Sequence, residues 1–92
     1  MFLEIVSPEA ILFSQEVASV SAPGINGEFQ LLNNHAAIVS VLGKGNIRIQ
    51  GKEIEIQEAF QSHFSNENEQ YVLAIASGTI EMKDNKVIVL VD

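Results

Sequence analysis

The 92-residue sequence has no cysteine, no tryptophan and only five basic residues. Without cysteine there is no disulfide, no thiolate zinc site and no thiol nucleophile. Lys44, Arg48, Lys52, Lys83 and Lys86 stand against twelve acidic residues, for a net charge of −7. Nucleic-acid binders draw affinity from clustered Lys and Arg against phosphate, so DNA and RNA are poor partners for this chain. The same deficit argues against adhesion to anionic lipid headgroups. Long apolar runs are missing too. The longest, residues 71–76 and 87–91, fall far short of the ~20 residues of a membrane-spanning helix. The opening MFLEIVSPEAILF carries Glu4 where a secretion signal has a basic flank. A soluble chain kept in the cytoplasm is the expectation. Charged residues make up only 18% of it, below the typical ~25%, as expected if part of the surface is hidden against a partner.

What is present is a period of two. Ile47 and Ile49 alternate with Asn46, Arg48 and Gln50, and Ile54 and Ile56 alternate with Glu53, Glu55 and Gln57. Alternation puts apolar side chains on one face of a sheet and polar ones on the other. Further strands are predicted over residues 3–7, 17–22, 28–32, 37–42, 71–76, 78–82 and 87–91. Pro23-Gly24, Asn26-Gly27, Gly43-Lys44-Gly45, Gly51-Lys52 and Asp84-Asn85 punctuate them as turns. Many short strands at this spacing predict one all-β domain, an antiparallel sandwich or flattened barrel of about eight to ten strands. Residues 58–69 break the pattern. They read as a long polar loop with one helical turn, with Phe60 and Phe64 folding back onto the sheet.

The residues offer little chemistry. A zinc site takes three or four Cys, His or carboxylate ligands, and the two histidines, His35 and His63, lie in unrelated segments. No G-x-S-x-G elbow positions a serine; Ser77-Gly78 reads as a turn. Gly43 and Gly45 lack the third glycine and helix start of a dinucleotide site. Glu53 and Glu55 share one strand face, as a solvated outer face requires. Without tryptophan, and with one tyrosine, a carbohydrate-binding sandwich is a poor fit. The residues alone thus give an acidic sandwich without a visible catalytic, cofactor or metal site. Three roles stay open: an interaction module, a ligand-binding sandwich with an apolar pocket, and a small hydrolase using His35.

Several blocks, in order, resemble the epsilon subunit of the rotary F-type ATP synthase. Residues 3–7, Pro8-Glu9 and Leu12-Phe13-Ser14 resemble its first strand and turn. Gly27-Glu28-Phe29 through His35-Ala36, within GEFQLLNNHA, resembles its Gly-Glu-aliphatic, Leu-Pro-x-His-Ala-Pro loop. Residues 42–49, Ser77-Gly78-Thr79-Ile80-Glu81-Met82 and residues 87–92 resemble three further blocks. Asn33 and Ala37 stand where that loop has prolines, and Thr79 where a second glycine is usual. Each change relaxes a backbone restraint, and Asn33-Asn34 is expected to make the turn because asparagine tolerates left-handed geometry. The resemblance implies a central-stalk subunit without catalytic residues or cofactor, joining the gamma subunit to the c ring. It implies a gamma interface at Ser7, His35 and Ser40 and a c-ring interface at Glu28. It also implies peripheral attachment at the cytoplasmic face of a bacterial inner membrane. The family usually continues into a two-helix C-terminal domain, which carries inhibition and, in some members, ATP binding. With the sequence ending at Asp92, a single sandwich over residues 1–92 is expected, without that hairpin and without ATP binding.

Overall fold

Ten β-strands and one short 3-10 helix make up the computed structural model, which describes residues 1–92. The strands are β1 (Phe2–Val6), β2 (Ile11–Glu16), β3 (Ser19–Gly24), β4 (Gly27–Leu32), β5 (Ile38–Leu42), β6 (Gly45–Gln50), β7 (Phe64–Glu67), β8 (Gln70–Ile75), β9 (Gly78–Lys83) and β10 (Lys86–Val91). The 3-10 helix spans Glu58–His63. Hydrogen bonding runs through one continuous sheet in the order β2-β1-β10-β9-β5-β3-β6-β8-β7, with β4 on β3. The sheet folds on itself into two layers. One is β2-β1-β10-β9-β5 and the other β4-β3-β6-β8-β7, and they are joined at the single pair Gly24↔Leu42.

The inward residues of the two layers meet in one cluster of 19 buried side chains, among them Leu3, Ile5, Val20, Ile47, Ile49, Ile80, Met82, Val87 and Val89. This is the predicted all-β sandwich, reached through the alternation in the sequence. Four expectations need correction. First, β1 and β10 pair in parallel, Phe2↔Lys86 through Val6↔Leu90, so the sheet is not wholly antiparallel. Second, the Ile54/Ile56 alternation forms no ladder. Both side chains pack against the core, but the backbone there crosses the edge of β2, held by Gln15. Third, Ile11–Glu16 is a strand that the alternation rule missed, because Leu12 and Phe13 are buried side by side; a register shift at Ile5/Val6 accompanies the β1–β2 pairing. Fourth, residues 58–69 are not an unstructured loop. The 3-10 helix is followed by β7, which pairs with β8 through a two-residue turn at Asn68-Glu69. Phe60 and Phe64 do fold back onto the core.

Turn chemistry positions the loops. Asp84 and Asn85 sit at φ 51° and 60°, and Asn68 and Glu69 at φ 50° and 65°. Left-handed geometry at both central residues is the type I′ arrangement, whose twist matches two paired strands. The β3–β4 hairpin differs from expectation. Pro23 and Gly24 belong to β3, the turn residues are Ile25 and Asn26, and the positive φ of 126° falls on Gly27.

Candidate functional site

Glu28 is the second residue of β4, opposite Pro23, and is exposed beside the β3–β4 turn. Six residues on, at the other end of β4, the chain turns at 32–35. The His35 amide donates to the Leu32 carbonyl at 3.1 Å, with Asn34 at φ 62°. The expected asparagine turn is therefore present, with the left-handed residue at Asn34.

The turn is fixed by side chains from two other segments. Asn85, in the β9–β10 turn, accepts from the Asn34 amide at 2.7 Å and donates Nδ2 to Asn33 Oδ1 at 2.8 Å. The Met1 ammonium donates to the same Asn33 oxygen at 3.0 Å and to Glu16 Oε2 at 3.1 Å. His35 itself is exposed. Its Nδ1 lies 2.8 Å from the Ala36 carbonyl oxygen, which can only accept, so Nδ1 carries the proton in that contact. The ring meets no serine or carboxylate in hydrogen-bond reach, so no nucleophile and base are paired here.

Ser7 follows β1 and closes a tight turn, its Oγ 3.2 Å from both the Ala10 carbonyl oxygen and the Ala10 amide. Ser40 lies mid-β5 opposite Ile80, half-buried on the core side, with Oγ donating to the Val41 carbonyl at 3.3 Å. Ser7 and His35 do not meet. The start of β1 is bonded to Asn85, beside the 32–35 turn, and Ser7 lies beyond its far end. Five strand residues separate the two levels by about 17 Å. Ser7 shares its end of the sandwich with Glu28, because Val6 aligns with Leu90, Thr79 and Val41, and Leu42 with Gly24 beside the turn before Glu28.

Between these levels lies a feature that residue-by-residue inspection missed. On the outer face of the β2-β1-β10-β9-β5 layer, cross-strand pairing aligns Ile11, Val6, Leu90, Thr79 and Val41 in one row over all five strands. Ile25 adjoins its end, its amide donating to the Val41 carbonyl at 3.2 Å. The next row reads Ser14, Glu4, Ile88, Glu81 and Val39. Val39 is 77% exposed, and Ile11, Ile25, Val41 and Leu90 are between 51% and 64% exposed. Five of the six large apolar side chains exposed on the molecule therefore lie on or beside one face. Its far end is charged, with Glu16, Lys83 and Lys86. The sequence carried a signal for this face. Residues 38–42 and 87–91 are apolar at nearly every position, the pattern of strands covered on both sides.

A cavity of about 400 Å³ opens beside Ser7, floored by Leu12, Leu73 and Val91 and rimmed by Glu9, His63 and Asp92. No three acidic or histidine side chains converge to hold a metal ion. No helix is long and apolar enough to cross a membrane.

Comparison with known proteins places this geometry in context. The profile of the ATP synthase delta/epsilon chain β-sandwich domain matches residues 1–92. An ATP synthase epsilon chain from Maridesulfovibrio salexigens is 35% identical over 92 residues, covering 100% of this chain and 54% of its own length. One from Chlorobaculum tepidum is 36% identical over 90 residues, covering 98% of this chain and 86% of its own. The chain thus spans little more than half the length of the first of these relatives. Among solved structures, a chain in the central stalk and c ring of the Tetrahymena thermophila mitochondrial ATP synthase superposes with a TM-score of 0.73 at 15% identity. That match covers 99% of this chain and 62% of the other, and shows a shared fold.

Proposed function

This chain belongs to the ATP synthase delta/epsilon β-sandwich family, and from that membership we propose that it is a non-catalytic central-stalk subunit. In this reading it links the gamma subunit to the membrane c ring, so that proton-driven ring rotation and gamma rotation are coupled. It works peripherally, at the cytoplasmic face of a bacterial inner membrane, and performs no chemistry. Torque transfer needs a stiff body with two interfaces, and a close-packed sandwich core is stiff.

The observation that carries the reading is the outer apolar face. A face with several contiguous, half-exposed Ile, Leu and Val side chains on a chain of net charge −7 is the signature of a protein–protein contact. Gamma is assigned to this side of the sandwich. Ser7 continues β1 at the apolar end of the face, His35 lies toward its charged end, and Ser40 follows Val39 in β5. The Ser40 side chain is turned to the core side, so that it would meet gamma only through the strand that carries Val39 and Val41. An interface including all three runs the length of the strands. Glu28, exposed beside the turn at the Ser7 end, is assigned to the c ring, where a carboxylate pairs with basic groups and sets register more than affinity.

Co-purification with gamma tests this. The expected result is a stoichiometric complex of the chain with gamma; a folded chain that binds no gamma sinks the reading. A ligand-binding role is the second reading, favoured by the cavity beside Ser7 and His63. It predicts a small molecule that raises the Tm of the isolated chain.

A further inference from the structure

Strand β4 pairs only with β3, and the register shows which of its backbone groups are left over. The Pro23 carbonyl accepts from the Gly43 amide at 2.8 Å, so Pro23 turns its backbone away from β4. Its cross-strand partner Glu28 therefore stands in a pair without mutual hydrogen bonds. In an antiparallel ladder such pairs alternate with bonded ones. Phe29 and Leu31 bond inward to Ala22 and Val20, while Glu28, Gln30 and Leu32 direct their N–H and C=O groups out of the sheet. Of these, only the Leu32 carbonyl has a partner, the His35 amide.

Natural sheets guard such edges with proline, lysine, bulges or covering segments. Elsewhere this chain does so. The β1–β2 pairing is broken by a register shift at Ile5/Val6, β7 has only four residues, and Val41 at the β5 edge accepts from Ile25. In contrast, β4 reads GEFQLL, with no proline or lysine, in unbroken register over six pairs. It is the longest edge in the molecule with unbroken register; β2 is also six residues long but is interrupted by the shift at Ile5/Val6.

We infer that this edge is completed by an extended segment of the gamma subunit, which adds a strand to β4; the inference rests on the stalk reading above. Outward groups recur at every second residue, about 6.8 Å apart, a spacing that another extended backbone matches. A second copy of this chain is a poor occupant. Each copy carries −7, and two six-residue strands cover well under the ~1,000 Å² that a stable dimer needs. The side chains give the incoming strand its pattern. Phe29 and Leu31 lie on the core side, and Glu28, Gln30 and Leu32 are exposed on the other. The strand presents apolar residues at alternate positions toward Phe29, and a Lys or Arg facing Glu28.

Gln30→Pro removes one outward donor and leaves the β3 ladder intact, because proline is accepted where a strand N–H faces solvent. Gln30→Ala keeps that donor. Gln30→Pro is expected to weaken gamma binding about tenfold or more while Gln30→Ala stays within about twofold, since main-chain bonds carry affinity in strand addition. Amide hydrogen exchange on the wild-type complex is the second arm and does not depend on any variant folding. Glu28, Gln30 and Leu32 should exchange fast in the free chain and slowly when gamma is bound. Undiminished gamma binding by folded Gln30→Pro overturns the inference and leaves the stalk reading standing, as does fast exchange at these amides in the complex. Failure of the wild-type chain to bind gamma removes both.

Discussion

Asn85 does two jobs with one side chain. It occupies a left-handed turn position at φ 60° and ties down Asn33 and Asn34. Glycine adopts that φ freely, so Asn85→Gly removes the tie without breaking the turn. Exposed hydrogen bonds contribute roughly 0.5–1.5 kcal/mol each, so losing these two is expected to cost about 1–2 kcal/mol, a fall in Tm of roughly 5–10 °C for a domain this size. Asn85→Ala should cost about 1 kcal/mol more, because alanine resists the left-handed region. Thermal melts check both values. Asn34 amide exchange should quicken in each variant, with Val20 and Ile49 unchanged. The two asparagines at 33 and 34 were legible in the sequence as a turn; their partners were not. Asn85 lies 52 residues from Asn33, and no local pattern links such residues.

Among the elements, residues 51–57 show how an alternating pattern can be obeyed without making a strand. Ile54 and Ile56 pack inward and Glu53 and Glu55 face solvent, as period two demands. What replaces the ladder is one side chain. Gln15 donates Nε2 to the Glu53 carbonyl at 2.9 Å and accepts from the Glu55 amide at 3.0 Å. It stands in for a neighbouring strand's backbone and satisfies the Glu53 carbonyl and the Glu55 amide. Gln15→Ala should cost about 1–2 kcal/mol, two lost hydrogen bonds. It should also free residues 53–55 from β2, read as a lower urea midpoint. A midpoint equal to wild type would show that Ile54 and Ile56 hold the segment unaided. The missed strand β2 has the complementary cause. Its buried pair Leu12 and Phe13 breaks the alternation at a register shift, and only the paired strand β1 reveals it.

For the whole molecule, the magnitudes divide the labour. A fully buried Leu, Ile or Val contributes about 1.5–3 kcal/mol, more than any single exposed polar tie. The 19-residue core therefore holds the sandwich together, and the polar ties decide only the loop paths. The apolar row adds nothing to that core and is free to serve a partner. Val41→Glu combined with Leu90→Glu places two charges on it. Gamma binding should fall about tenfold or more, as for a buried interface centre, with the Tm of the isolated chain nearly unchanged. Pull-down and melting curves read the two effects separately, and full binding by the folded double variant would remove this face from the interface. The sequence by itself determined the all-β class, the acidic character, most strands and the turn after β4, because alternation and turn residues act over a few neighbours. Only the tertiary structure decided that β1 and β10 run parallel, that Ser7 and His35 lie at opposite ends, and that the exposed apolar residues form one face. Each of these is a pairing between residues distant in the chain, set by register across the sheet and by closure of a single shared core.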